Sequence, residues 1–293
     1  MNPTTIQNNY GFLESILFPV THINFDKLKE RVGGKTILIT GASYGIGEQL
    51  AYLLAPTGAN LILVARTEDK LASVCNLILE RGGKASYYPV DLTKEEELDR
   101  LIASLTSMHN GIDIVVSNAG KSIHRYLYAS LDRYHDFTRT MNLNYLAPVK
   151  LLLALLPGLE EKCGQIINVS AINVLLAPAP GWAAYQASKV AFDNWFRCIG
   201  PELVLNGMKA TSIYLPLVKT RMIEPTKAYE NMPAMHPAHV ARIIAKTIYT
   251  GKTRYRPWWL FMAQFSSLVF RYPWEKITEN YLKRIHAKNN TNS

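Results

Sequence analysis

Tyr185 and Lys189 are four residues apart in the segment Tyr185-Gln186-Ala187-Ser188-Lys189. On a helix, this spacing places the phenol and the ammonium on the same face. A nearby cation favours the phenolate form of tyrosine, so the pair could deliver a proton to a carbonyl group. A solvated helix face is the ordinary alternative for such a pair, and the rest of the sequence has to decide between the two.

A glycine-rich turn precedes the pair, between an apolar strand-like run and a helical stretch. Glycine lets the chain turn tightly and lets a pyrophosphate approach the backbone and the helix N-terminus. Such a turn in isolation is often only a turn, but the strand-turn-helix setting is typical of a dinucleotide site. We expect contacts to a nicotinamide dinucleotide from Gly41, Ser43, Tyr44, Gly45, Ile46 and Gly47.

Three further positions follow the ends of apolar runs, where a parallel sheet binds its ligand. Arg66 ends the second run in place of an acidic residue, which favours a ribose 2′-phosphate and therefore NADPH over NADH; an exposed arginine is the alternative. Asp91-Leu92 and Asn118-Ala119-Gly120 follow the third and fourth runs, and we expect them to lie beside the adenine and the ribose.

Apolar runs alternate with amphipathic stretches along the chain, which predicts an α/β fold with a doubly wound parallel sheet, the Rossmann fold. Near-continuous apolar runs indicate strands that are buried on both faces. The predicted strands are Thr36–Thr40, Asn60–Ala65, Ala85–Val90, Ile112–Asn118, Gln165–Ser170 and Ala210–Leu215. The predicted helices are Ile46–Leu54, Glu68–Arg81, Glu95–His109, Leu131–Lys162, bent at Pro148 and Pro157, and Trp182–Asn206.

The chain has 293 residues, which suits one large α/β domain. We expect an N-terminal extension over residues 1–34, a reductase domain over 35–251 with an irregular lid over 216–236, and a C-terminal extension over 252–293. Three widely spaced cysteines predict neither a disulfide framework nor a zinc site and favour a reducing, cytoplasmic location. No run reaches the ~20 uninterrupted apolar residues of a membrane-spanning helix.

The C-terminal extension carries most of the net charge of +9. Its apolar run over residues 257–270 contains aromatic residues and is flanked by Arg254, Arg256 and Arg271. This pattern is typical of an element that contacts a membrane surface, and it predicts such contact through residues 257–274. A wall of the substrate pocket and a helix swapped between subunits are equally open alternatives. Basic residues interleaved with apolar ones, without a recognised module, do not favour nucleic acid as a partner.

With these motifs in order, residues from about 35 to 251 resemble the short-chain dehydrogenase/reductase superfamily. The resemblance rests on the glycine turn, Asn118-Ala119-Gly120, Asn144 in Met141-Asn142-Leu143-Asn144, and the Tyr185 and Lys189 pair. It implies that Tyr185 is the acid and base, that Lys189 lowers the phenol pKa and holds the nicotinamide ribose, and that Asn144 positions a water. It also implies that the apolar stretch Leu146–Leu159 packs against a second subunit in a homodimer.

A narrower likeness is to bacterial reductases of fatty acyl-CoA and fatty aldehyde. It is carried by the segments 118–123, 134–141 and 215–227, of which the last forms the substrate-side lid in such proteins. Thr220 in this lid is the remaining cofactor-binding candidate. The likeness implies a lipophilic carbonyl substrate.

The family pattern breaks at one position. A serine that hydrogen-bonds the substrate carbonyl normally stands thirteen residues before the tyrosine, where this chain has Ile172. Counted from the preceding strand, Ala171 occupies the serine position and Ser170 offers the nearest hydroxyl. Ser170 is therefore a catalytic candidate, with an ordinary strand-end residue as the alternative.

The function expected from these residues is NADPH-dependent reduction of a lipophilic carbonyl, in a fatty aldehyde, an acyl thioester or a ketone. Two alternatives remain: a secondary-alcohol dehydrogenase, and an NADPH-binding regulatory or scaffold protein without catalysis, since the family serine is missing.

Overall fold

The central element is a sheet of seven parallel strands in the order β3-β2-β1-β4-β5-β6-β7. The computed structural model of the protein describes residues 10–224, 226, 229 and 231–290, with side chains as far as Lys283. Parts of the predicted extensions (1–9 and 291–293) and of the predicted lid (225, 227, 228 and 230) lie outside the described residues. The strands are β1 Thr36–Thr40, β2 Asn60–Ala65, β3 Lys84–Pro89, β4 Ile114–Ser117, β5 Gln165–Ala171, β6 Lys209–Leu215 and β7 Arg254–Tyr255.

Helices cover both faces of this sheet, which confirms the doubly wound prediction. In the described residues they are α1 Phe12–Leu17, α2 Phe25–Val32, α3 Gly45–Leu54, α4 Glu68–Glu80, α5 Glu95–Thr106, α6 Tyr134–Met141, α7 Ala147–Glu161, α8 Ala183–Leu205, α9 Pro237–Thr250, α10 Leu260–Val269 and α11 Arg271–Asn290. One core lies under α2, α3, α4 and α9, and the other under α5, α7 and α8.

The alternation of side chains along β1 explains the continuous apolar runs of the sequence. Ile37 and Ile39 enter the first core, whereas Leu38 enters the second. Successive strand residues point to opposite faces, so a strand covered on both faces is apolar throughout.

The predicted helix Leu131–Lys162 differs from the structure because a π-helical turn, Asn142–Leu146, separates α6 from α7. By length and composition, the stretch Tyr134–Glu161 could cross a membrane. The buried leucines of α7, such as Leu151, Leu155 and Leu159, instead pack in the second core. This packing is typical of a core helix.

Parts of both predicted extensions pack onto the predicted domain of residues 35–251. Leu28 and Val32 of α2 are fully buried in the first core. Beyond residue 251, β7 pairs with β6 as the edge strand, and Leu260 is fully buried. The pattern of a two-residue strand is too short to detect in a sequence.

The N-terminal segment is hydrogen-bonded to His239 of α9. The Tyr10 hydroxyl lies 3.1 Å from His239 Nδ1, and the Thr21 hydroxyl lies 2.9 Å from its Nε2. Burial, with a smaller effect of neighbouring cations, lowers the pKa of His239 to about 4. The ring is therefore neutral in the folded protein.

We expect the N-terminal packing to be sensitive to acid. Below the ordinary histidine pKa of about 6.5, His239 binds a proton in the unfolded chain, whereas it stays neutral in the folded protein down to about pH 4. The free energy of unfolding therefore falls as the pH is lowered through this range. The loss from this group is about 2 kcal/mol between pH 7 and pH 5. Urea denaturation at both pH values should show it, and His239→Gln should reduce the difference. An equal difference in the variant would contradict the assignment.

Candidate active site

The glycine turn joins β1 to α3 at the carboxyl end of the sheet. Gly41 and Gly45 have φ angles of +70° and +61°, in the left-handed region that favours glycine. A Cβ atom at Gly47 would lie 2.3 Å from the Gly41 carbonyl oxygen, so α3 can pack against the turn only with glycine there. All three glycines are needed for the turn, as the dinucleotide pattern predicts.

The other residues of the turn hold it in place. Ser43 is buried, and Ile46 packs against the first core. The guanidinium of Arg221 lies 4.1 Å from the ring centre of Tyr44. A Cβ atom at Gly45 would lie 2.9 Å from Thr220 Cγ2. The lid therefore closes onto the glycine turn and brings Thr220 beside it.

Asn118 ties the ends of β1 and β4 together. Its side-chain amide donates to the carbonyl oxygens of Thr40 and Gly41, over 2.9 Å and 3.2 Å. The backbone N–H groups of Asn118 and Ala119 both donate to the Thr40 hydroxyl at 3.0 Å. β1 and β4 are neighbours at the point where the strand order reverses, the place where such sheets bind ligands.

The predicted adenine and ribose neighbours lie at the same edge. Leu92 and Ala119 lie close to Thr40, with which they line one small cavity of about 10 Å³. Arg66 Nη1 lies 3.7 Å from Asp91 Oδ2, and more than half of the Arg66 side chain is exposed. Burial works against it, but hydrogen bonds from Thr93 and the Arg66 charge lower the pKa of Asp91. The edge thus carries one exposed cation beside one carboxylate.

Tyr185 and Lys189 lie on the first turns of α8. Lys189 is buried, and its ammonium donates to the Val169 carbonyl oxygen over 3.3 Å. Burial, partly offset by Asp193, lowers the pKa of Lys189 to about 8. Burial and, after it, Tyr229 raise the pKa of Tyr185. Burial thus dominates the pKa shift of Tyr185, and the role of Lys189 in lowering the phenol pKa stays a prediction.

Asn144 lies in the π-helical turn and is buried. Its side-chain oxygen accepts from the Lys121 N–H, and its amide donates to the Lys121 carbonyl and to the Ser188 hydroxyl, each over 2.9 Å. Ser188 in turn donates to the Tyr185 carbonyl over 2.7 Å. A Cβ atom at Gly120 would lie within 3.4 Å of both Asn144 Oδ1 and Lys189 Nζ. The helix α8, the π turn and the loop after β4 thus bring the predicted residues together.

The site fits a nicotinamide dinucleotide. Gly41, Gly45 and Gly47 carry no side chains of their own, so a pyrophosphate can approach the backbone of the turn and the N-terminus of α3. Asn118 and Ala119 lie beside Gly41, and Asn144 Oδ1 and Lys189 Nζ lie beside Gly120. Among the described residues, no cluster of side chains is suited to a metal ion.

Comparison with known proteins shows the same family. The family model of the short chain dehydrogenases matches residues 35–231. The chain belongs to the short-chain dehydrogenase family. It is therefore an oxidoreductase of a family that binds a nicotinamide cofactor, as the resemblance implied.

Two relatives and one solved structure show how far the likeness extends. A fatty acyl-CoA reductase of Acinetobacter baylyi is 46% identical over 221 residues, which are 75% of each chain. A fatty acyl-CoA reductase of Mycobacterium tuberculosis is 42% identical over 225 residues, 76% of each chain. An alcohol dehydrogenase of Thermococcus sibiricus, complexed with 5-hydroxy-NADP, is 26% identical, with a TM-score of 0.64 over 72% of this chain and 88% of its own.

The structure shows the position of Ser170, the nearest hydroxyl to the missing family serine. Ser170 is buried, and alternation along β5 turns it toward α8, where it lies beside Asp193. Asp193 is two helical turns beyond Tyr185, and no hydrogen bond among the described residues links Ser170 to Tyr185. The geometry favours a structural role for Ser170, and its catalytic role stays a prediction for kinetics.

Paired substitutions separate the two roles of Ser170. If the structural role holds, Ser170→Ala leaves kcat unchanged, whereas Ala171→Ser places a donor near the carbonyl and raises kcat. A tenfold change corresponds to about 1.4 kcal/mol in the barrier, and one such donor can contribute ~2.7 to 4 kcal/mol. Steady-state kinetics of the two variants would measure both effects. A tenfold loss in Ser170→Ala with a silent Ala171→Ser would establish the catalytic role.

The structure contains an aromatic wall beside Tyr185 that the sequence alone does not predict. Its members are His124, Trp182 and Tyr229. The Trp182 ring stacks on Tyr229 of the lid at 5.6 Å and meets the Tyr185 ring edge to face at 5.9 Å. For Trp182, the one indication in the sequence is its position three residues before Tyr185. His124 and Tyr229 come from loops that only the fold brings together.

Proposed function

We propose that the protein is an NADPH-dependent reductase of a lipophilic carbonyl compound, with a long-chain fatty acyl thioester as the substrate class. The observation that carries the proposal is the Tyr185 ring, which meets Trp182 of the aromatic wall at 5.9 Å and shares α8 with the buried Lys189. The two bacterial relatives named fatty acyl-CoA reductase support the substrate class.

The residues around Tyr185 divide the work of proton delivery. When bound, the nicotinamide supplies the hydride. The Tyr185 phenol can donate its proton to the substrate oxygen that becomes negatively charged on hydride transfer. With a thioester, collapse of the resulting hemithioacetal breaks the C–S bond, releases the CoA thiol and leaves the aldehyde. Lys189, held by Val169, offers a buried cation to a ribose hydroxyl and to the phenol. Asn144 fixes the Lys121 backbone and, through Ser188, the first turn of α8.

NADPH is favoured over NADH because Arg66 is the exposed cation at the end of β2. A guanidinium pairs well with a phosphate group. The NADP analogue in the Thermococcus sibiricus enzyme supports the same preference.

Arg66→Asp should reverse this preference. An aspartate repels a 2′-phosphate and accepts a hydrogen bond from a free 2′-hydroxyl, so we expect the ratio of kcat/KM for NADPH over NADH to fall at least about tenfold, or 1.4 kcal/mol. Arg81→Asp, an exposed position at the end of α4, is the matched control. Steady-state kinetics with both cofactors measures the ratio. A ratio that stays at the wild-type value would show that Arg66 does not bind the phosphate.

The substrate class is tested by comparing acyl chains on one head group. Consumption of NADPH should be fast with a long-chain acyl-CoA or a long-chain aldehyde and slow with acetyl-CoA or acetaldehyde, because the aromatic wall favours an apolar chain. Equal rates for long and short chains would contradict a lipophilic substrate.

A second candidate function rests on the missing family serine. A site without that donor could oxidise a secondary alcohol slowly, or bind NADPH in a regulatory or scaffold role. Oxidation of secondary alcohols with NADP would support the first alternative. NADPH binding without turnover of any long-chain aldehyde, acyl-CoA or alcohol would support the second.

A further inference from the structure

The helix α10 exposes apolar residues and turns small or polar residues inward, the reverse of an ordinary surface helix. Its exposed residues are apolar except for Ser266, and its inward residues after Leu260 are small or polar. Phe261, Phe265 and Leu268 have exposed fractions of 63%, 58% and 77%. The partly buried positions Ala263, Gln264 and Ser267 lie on the other face. A surface helix normally turns its apolar face to the core, so the outward face of α10 is suited to another apolar phase.

The exposed apolar residues of α1 extend this face. Trp258, just before α10, donates its indole N–H to the Ile16 carbonyl oxygen over 3.1 Å. Phe12 and Ile16 of α1 are themselves exposed. We call the surface formed by Phe12, Leu13, Ile16, Trp258 and the outward side chains of α10 the apolar plateau. The apolar plateau thus combines residues of α1, near the start of the described chain, with residues of α10, near its C-terminal end.

The apolar plateau adjoins the active site on two sides. The Ser267 hydroxyl accepts a hydrogen bond of 2.7 Å from the Ala177 N–H, in the loop that leads to Trp182. On the other side, the Glu14 carboxylate of α1 pairs with Lys219 at 2.9 Å and accepts from the Ala234 N–H at 3.1 Å. Both Lys219 and Ala234 belong to the lid. The inner faces of α1 and α10 thus hold the lid and the loop that precedes Trp182.

The charge around the apolar plateau is positive. Residues 252–283 contain six basic and two acidic side chains. The two acidic ones, Glu275 and Glu279, pair with Arg271 and Lys283 within α11. Amphipathic aromatic residues, which favour the boundary between water and lipid, line α11 as Tyr272, Trp274 and Tyr281.

We propose that the apolar plateau, with α11 beside it, docks on an anionic lipid bilayer. At ten residues, α10 is too short to span the hydrocarbon core and would lie in the interface. In a symmetric pair of this chain, the same basic residues would face one another and repel, so a second copy is the poorer occupant. As a consequence that rests on the proposed function, a lipophilic substrate would reach Tyr185 from the bilayer.

Vesicle flotation of the full chain tests the docking without any substrate. The wild-type protein should float with vesicles of equal parts phosphatidylcholine and phosphatidylglycerol, float less with phosphatidylcholine alone, and lose binding as salt is raised. Phe261→Ser with Phe265→Ser and Leu268→Ser should lower the partition coefficient at least about tenfold, because the three side chains contribute most of the exposed apolar area of α10.

The matched control is Leu205→Ser, which removes a leucine with an 85% exposed fraction at the end of α8. It should float like the wild type. NADPH binding by the triple variant should equal that of the wild type, since none of its positions belongs to the cofactor site.

Three outcomes would overturn the docking: no flotation of the wild type, flotation of the triple variant equal to that of the wild type, or a wild-type dimer without flotation that the triple variant converts to a monomer. The last would assign the apolar plateau to a second copy. None of these outcomes depends on turnover. The docking proposal can therefore fail while the reductase proposal stands, and the reductase proposal can fail while the docking proposal stands.

Discussion

Tyr185→Phe is expected to abolish turnover while leaving NADPH affinity within about twofold of the wild type. The phenol oxygen carries the proton that the reaction needs, and phenylalanine has no such group. A positioned general acid contributes roughly a hundredfold to ten-thousandfold to the rate, so kcat should fall within that range. The glycine turn, Asn118 and Lys189 do not depend on the phenol oxygen. Cofactor affinity should therefore persist.

The comparison for this variant is Tyr128→Phe, which removes a hydroxyl from a tyrosine with an 85% exposed fraction. NADPH consumption measures kcat, and the fluorescence of bound NADPH measures its Kd. Turnover by Tyr185→Phe at the rate of Tyr128→Phe would remove Tyr185 from the reaction. A large loss of NADPH affinity would instead make it a cofactor-binding residue.

Gly47→Ala is expected to remove cofactor binding through the backbone. The added Cβ would lie 2.3 Å from the Gly41 carbonyl oxygen and 2.9 Å from Ala42 Cα, and neither backbone atom can move without opening the turn. We expect the Kd for NADPH to rise at least about a hundredfold, or 2.7 kcal/mol. Overpacking at such a contact should also cost about 1 to 3 kcal/mol of folding stability.

Gly158→Ala is the matched control for this prediction. Gly158 lies in α7, and a Cβ atom there would meet nothing within 4 Å. The variant should bind NADPH normally and be as stable as the wild type or more stable, because alanine favours helix over glycine. Thermal denaturation and NADPH titration of both variants measure the two effects. Normal NADPH affinity in Gly47→Ala would contradict the role of the turn in binding.

The parts of the fold that follow from local apolar pattern could be predicted from the sequence. The bounds of β1 and β2 agree with the structure because both strands are buried on both faces, and because β1 ends at Thr40 and Arg66 follows the end of β2. β3 begins one residue earlier than expected, since it lies at the edge of the sheet with mostly exposed side chains and no continuous apolar run.

The parts of the site that depend on distant contacts could not be predicted. Asn144 matches a family motif, but nothing in its neighbours shows that it lies in a π-helical turn. The sign of the Tyr185 pKa shift depends on how deeply α8 packs, which the spacing of Tyr185 and Lys189 does not encode. Tyr229 reaches Trp182 only because the lid folds back over the sheet.

The most direct test of the reductase account follows a labelled hydrogen from cofactor to product. Wild-type protein would be mixed with a long-chain acyl-CoA and NADPH in which both hydrogens of the reactive nicotinamide carbon are deuterium, and the aldehyde product would be analysed by mass spectrometry. We expect one deuterium at the former carbonyl carbon with wild-type protein and with Tyr128→Phe, and product formation by Tyr185→Phe that is at least about a hundredfold slower. Labelled product formed equally well by Tyr185→Phe, or NADPH binding by the wild type without any labelled product, would contradict it.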